Sequence, residues 1–150
     1  MFSRIMVALD GSPLAELVLP TAIEAAKLFQ AELTLFRVVS PLAKSYSGGS
    51  VPLSAIESAE RQLLDMAKDY LEEIASGIRE KDISVNVVAV LGTPYREIVE
   101  HTEKNQIDLL IMSTRGETGL TRWLLGSVTD HVIRGVSIPV WVIPAHATAE

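Results

Sequence analysis

Five short runs of aliphatic, mostly β-branched residues, each separated from the next by a longer stretch with helical patterning, constrain this chain more than any other feature. The runs are Arg4–Leu9, Leu33–Val39, Val85–Val90, Ile107–Met112 and Ile138–Ile143. The first and fourth are almost continuously apolar, as strands are when helices cover both faces. The third alternates a little more and reads as a less buried strand. Alternation of strand and helix, β-α-β-α-β-α-β-α-β, argues for a parallel sheet with helices on both sides. The expectation is an α/β fold, one three-layer α/β/α domain over residues 1–150. The 48% of hydrophobic residues suffices for such a core, and 5% aromatics makes it an aliphatic one.

The intervening segments carry helix punctuation. Ser12-Pro13 opens the first, with Ser12 as cap, Pro13 at the first helical position and Glu16 where the helix dipole favours an acid. Thr93-Pro94 with Glu97 repeats that signature. Pro20 lies inside the first helix and is expected to kink it. Ser54 to Glu57 reads as a capping box. It opens a long helix with Leu63, Leu64, Ala67, Leu71 and Ile74 on one side, ending near Gly77. A fourth helix spans Ser127 to Arg134, with Val128, Val132 and Ile133 inward and Gly135 as its stop. The stretch from Ser40 to Leu53, containing Ser47-Gly48-Gly49-Ser50, has loop composition and is expected to be a flexible segment on the carboxyl rim of the sheet. The tail from about residue 145 is expected to fray.

Several function classes are disfavoured at this level. The net charge is −6 and no window collects several Lys or Arg, so nucleic acid is not an expected partner. Cysteine is absent, which removes disulfides and thiolate metal sites. No apolar run approaches the roughly 18 residues that span a bilayer, and no secretory signal pattern opens the chain. A cytoplasmic location without membrane contact is expected. There is no Gly-x-x-x-x-Gly-Lys, and no Gly-x-Gly-x-x-Gly follows the first run. No acid closes the second run at Val38-Val39-Ser40, as a dinucleotide site would want. Asp10 stands without the neighbouring carboxylates of a phospho-acceptor site. His101, His131 and His146 lack metal-ligand spacing. Ser127 and His131 sit four apart beside Asp130, but a helix offers no nucleophile elbow. No catalytic group and no metal ligand is assigned.

Two segments carry candidate chemistry. From Ser113 to Ser127 the chain leaves the fourth strand and enters the fourth helix. Gly116 permits close backbone approach to an anion, Arg115 and Arg122 supply charge, and Gly126-Ser127 bring amides and a hydroxyl to a helix N-terminus. The same residues also make sense as a Gly-punctuated connection with a solvated rim. Asp10-Gly11-Ser12 closes the first strand. Asp10 there accepts from a ribose hydroxyl or an exocyclic amine, or simply forms an Asx-turn into the Ser12 cap. If the strand order reverses between the first and fourth strands, both segments flank one crevice.

These residues resemble the universal stress protein family. Ile5 to Ser12 is similar to its first strand and turn, and Gly126-Ser127-Val128-Thr129 through Ile138-Pro139-Val140 to its last helix and strand. The motif of its nucleotide-binding branch is Gly, two residues, Gly, nine residues, Gly, then Ser or Thr. Gly116, Gly126 and Ser127 match, and Ser113 replaces the first glycine. The resemblance implies the adenine nucleotide alpha-hydrolase-like fold with strand order 3-2-1-4-5. It implies binding of an adenine nucleotide, ATP with magnesium as its companion ion, in a stress-response or signalling module rather than a dedicated enzyme. Asp10 would lie beside adenine and ribose, and the backbone of Val38 would meet the adenine edge. Gly116, Gly126, Ser127 and Val128, with Ser113 and Arg115, would cradle ribose and phosphate. A homodimer through the edge strand Ile138–Ile143 is also implied. The alternative function is a dimeric interaction domain of the same fold that binds no nucleotide; the alternative to pairing through the edge strand is that Trp141 fills a core corner.

Overall fold

In the computed structural model, which describes residues 1–43, 49–114 and 125–144, the apolar runs form one parallel five-stranded sheet. Its strands are β1 (Arg4–Ala8), β2 (Glu32–Val39), β3 (Val85–Leu91), β4 (Leu109–Ser113) and β5 (Val140–Ile143). Their order is β3-β2-β1-β4-β5. Register aligns Ile5 with Leu33 and with Leu109, and Ile111 with Trp141. The order reverses between β1 and β4, so their carboxyl ends diverge into a crevice.

Period-two alternation divides the core between the two sheet faces. Ile5, Val7, Leu33, Leu35, Leu109 and Ile111 pack against Ala22, Ala25, Ala26, Ala67, Leu71 and Ala75. Those alanines and Leu71 belong to α2 (Leu19–Phe29) and α3 (Leu53–Arg79). On the other face Met6, Phe36, Leu110 and Met112 meet Ile98 of α4 (Pro94–Lys104) and Val132 of α5 (Ser127–Gly135). Small residues on α2 let it lie close to the sheet. Truncating a wholly buried residue such as Leu71 to alanine costs about 2–5 kcal/mol.

Several helix boundaries differ from the sequence expectation, each for a physical reason. Pro20 does not kink one helix. It begins a second: α1 (Pro13–Glu16) ends and α2 starts at Leu19, because proline lacks an N–H and its ring excludes the carbonyl four residues back. The capping box at Ser54 does not form, since α3 already starts at Leu53 after Pro52 and no side chain caps it. Nor does Gly77 stop α3, which runs on to Arg79. There the Arg79 guanidinium bonds the Val85 carbonyl (2.7 Å) and Glu72 (2.9 Å). In α5, Ile133 is 40% exposed and Thr129 is buried instead. The Thr129 hydroxyl donates to the Ser113 carbonyl (2.8 Å), which fixes the helix phase. Gly135 is the last residue of α5 rather than the residue beyond it.

The fourth and fifth strands start later than their apolar runs. Asp108 acts as a clasp, accepting from the Ser3 and Arg4 amides at 2.8 and 3.0 Å. Pro139 donates nothing to the ladder, though its carbonyl accepts from the Leu110 amide (3.1 Å). Trp141 is half-buried against the larger core cluster, edge-on to Phe2 at 6.0 Å. Residues 44–48 of the expected flexible segment, and the tail from 145, lie outside the described residues.

Candidate functional site

A cavity of about 620 Å³ opens on the carboxyl rim where β1, β2 and β4 end. Asp10, Val38, Ser113, Gly126, Ser127 and Val128 all line it, so both candidate segments flank one crevice as the strand reversal required. Ser113 is buried and forms part of the wall. Arg115 and Gly116, with Arg122, lie outside the described residues.

The β1 end is closed by its own side chains. Ser12 donates to Asp10 Oδ1 from its amide (2.9 Å) and its hydroxyl (2.6 Å). Ser12 Oγ in turn accepts from the Ala15 amide (3.2 Å). Asp10 therefore forms the Asx-turn that primes the α1 cap, and it does so while exposed at the cavity. Gly11 takes a left-handed φ of 87°, which glycine adopts without strain.

The β4–α5 side is arranged differently. The Gly126 amide is engaged by the Thr114 carbonyl (2.7 Å), so the expectation that Gly126 itself offers a free amide does not hold. The amides that follow, from Ser127 to Thr129, precede the first intrahelical bond, Asp130 N–H to Gly126 O at 3.0 Å. No side chain caps them. They bring partial positive charge to the cavity at the helix N-terminus.

Val38 has a backbone role that follows from strand geometry. Pairing between β1 and β2 ends at Ala8 with Phe36, and the Leu9 amide bonds the Phe36 carbonyl (2.8 Å). Successive residues of a strand direct their amide and carbonyl to alternate edges. Val38 thus turns both groups to the same edge as Phe36, past the end of β1, where the ladder supplies no partner. An adjacent donor and acceptor of that kind match the edge of an aminopurine.

The cavity straddles the sheet rim and is lined from both faces of the sheet. Ala8, Phe36, Val38, Ile98, Met112 and Val128 line it on the side of α4 and α5. Leu9, Ala15, Arg37, Leu63, Met66 and Tyr70 line it on the side of α3. Arg37 and Tyr70 escaped the sequence reading. The lone charge in the run Leu33–Val39 was the available signal for Arg37, and Tyr70 directly precedes the buried Leu71 on α3. Arg37 Cζ stands 5.0 Å from the Tyr70 ring centroid. Burial, then the neighbouring Glu16 carboxylate, push the Tyr70 phenol well above its usual range. The Glu16 carboxylate lies nearby, yet the buried Tyr70 hydroxyl makes no hydrogen bond among the described residues.

The histidines do not make a nucleophile pair. His131 Nδ1 donates to the Ser127 carbonyl (2.7 Å), not to its hydroxyl, and the ring stacks on Tyr95 at 4.9 Å. His101 packs on Phe36 at 4.6 Å, and burial holds its imidazole below the ordinary value. Among the described residues no cluster of three His, Cys, Asp or Glu could hold a metal, and no helix is long and apolar enough to cross a membrane.

Comparison with known proteins agrees with this geometry. Residues 1–144 match the model of the universal stress protein family. The universal stress protein MJ0531 of Methanocaldococcus jannaschii is 33% identical over 145 residues, covering 95% of this chain and 82% of that protein. The solved structure of MJ0577 from the same organism superposes with a TM-score of 0.80 at 27% identity, covering 99% of each chain. A universal stress protein from Archaeoglobus fulgidus, solved in complex with dAMP, shares the fold at 22% identity with a TM-score of 0.59, covering 95% of this chain and 98% of that one.

Proposed function

The chain belongs to the universal stress protein family, and on that premise we propose that its rim cavity binds an adenine nucleotide, ATP with magnesium, as a sensing or signalling module in the cytoplasm. The observation that carries the reading is the single cavity joining Asp10, the unpaired backbone edge of Val38 and the uncapped amides of α5. The Val38 donor and acceptor suit adenine. Asp10, whose Oδ1 is held by Ser12, suits a ribose hydroxyl. The α5 amides, with the Ser127 hydroxyl, suit phosphate. The binding of dAMP by the Archaeoglobus fulgidus relative adds support. Turnover is not part of the reading: among the described residues the His131 ring bonds the Ser127 carbonyl rather than its hydroxyl.

Isothermal titration with Mg-ATP, with mass spectrometry of any ligand kept through native purification, tests this. Saturable heat below millimolar ligand, or a co-purified adenine nucleotide, is expected. Silence in both rejects the proposal.

A second reading is a dimeric interaction domain without nucleotide. Ser113 at the first motif glycine and the half-buried outer strand β5 favour it. On this reading Val140 to Ile143 pairs with a second copy. A sedimenting dimer indifferent to ATP, together with no heat on titration, would select it over the first.

A further inference from the structure

We propose that the α3 side of the cavity is a second anion subsite, in which Arg37 holds a phosphate carried on the ribose 2′ or 3′ oxygen of the nucleotide; this rests on the cavity holding an adenine nucleotide. Arg37 lines the cavity and, among the described residues, makes no hydrogen bond or ion pair, its guanidinium standing over the Tyr70 ring. A Cβ on Gly11 would lie 2.8 Å from Arg37 Cζ, 2.8 Å from one Nη and 3.0 Å from the other. Such near-equal distances place Gly11 over the flat face of the guanidinium. With a face covered and a ring alongside, the donors remaining for a ligand lie in the guanidinium plane. That planar fork is the geometry that matches phosphate oxygens.

Position supports the same ligand. Gly11 directly follows Asp10, so the guanidinium sits one residue from the carboxylate assigned to the ribose. Asp10 would keep one ribose hydroxyl while Arg37 takes a phosphate on its neighbour. The buried Tyr70 hydroxyl, lacking a bonded partner, lies in the same corner. Asp10 and Glu16 both act on Tyr70, so this corner holds two carboxylates to one guanidinium. A phosphate there is retained by direct donation from Arg37 rather than by net charge, which limits the gain.

The test compares AMP with adenosine 3′,5′-bisphosphate and adenosine 2′,5′-bisphosphate by titration calorimetry. One bisphosphate is expected to bind the wild-type chain about tenfold tighter than AMP. The ratio should fall to about one in Arg37→Gln, and Arg37→Lys, which restores charge without the fork, should recover only part of it. The lysine variant keeps the measurement decisive should the glutamine variant not fold. AMP binding with no gain from either extra phosphate, or a gain that survives Arg37→Gln, overturns the subsite alone. Failure of AMP and both bisphosphates to bind overturns the nucleotide reading and this inference with it.

Discussion

Two helix N-termini meet at the same rim, and the chain treats them in opposite ways. At α1 the turn is closed: Asp10 holds Ser12, Ser12 caps Ala15, and the four-residue helix gathers little dipole. At α5 the turn is open: Gly126 offers no side chain, and a nine-residue helix presents its first amides uncapped. One end is satisfied internally, while the longer helix leaves its first amides uncapped at the cavity. On the proposed reading the open end takes phosphate, while the closed end holds the rim and orients Asp10 for the ribose.

The contrast breaks most readily at Gly126. Its φ of −61° and ψ of 155° suit any L residue, so Gly126→Trp should fold while its indole obstructs the α5 amides. Losing two charge-assisted bonds should weaken Mg-ATP about 100-fold or more in calorimetry. Unchanged affinity would mean that α5 does not receive the phosphates. Ser12→Ala attacks the closed end instead. It should lower stability by about 1 kcal/mol, or about 2–4 °C in melting temperature, with a much smaller effect on ligand affinity than the tryptophan. A larger binding loss than at Gly126 would reverse the roles assigned to the two ends.

The smallest effect sharpens the comparison from outside the cavity's polar groups. His101 backs Phe36, which lines the cavity on the side of α4 and α5, and burial holds its imidazole below the ordinary value. The unfolded chain therefore takes up the proton first. Stability is full above about pH 6.5 and declines as pH falls toward the lower native value. Replacing His101 with Asn should flatten the melting temperature between about pH 7 and pH 5, read by calorimetry against wild type. An unaltered slope would place the acid sensitivity elsewhere.

Much of this was readable in advance, for reasons visible in particular residues. The apolar runs named all five strands, and Asp10, Ser113, Gly126 and Ser127 converge as the strand reversal suggested, beside Val38 and Val128, which only the family resemblance had implied. The errors fall where a distant segment overrides a local signal. Ser54 carries cap chemistry, yet α3 begins before it. Ile133 has core chemistry, but the bond from Thr129 to Ser113 turns it outward. Arg37 and Tyr70 were missed because neither carries a local motif, and only the packing of α3 on the sheet joins them.

The sequence alone determined the strands, their parallel sense and the rim at which a ligand would sit, since these depend on residue spacing and on turn chemistry between near neighbours. Tertiary structure decided the phase of α5, the engagement of the Gly126 amide by Thr114, the open backbone edge of Val38 and the meeting of Arg37 with Gly11 and Tyr70. Each arises where segments far apart in the chain come into contact. There the free energy depends on which surfaces pack together and on which donors find acceptors, and no local propensity encodes either.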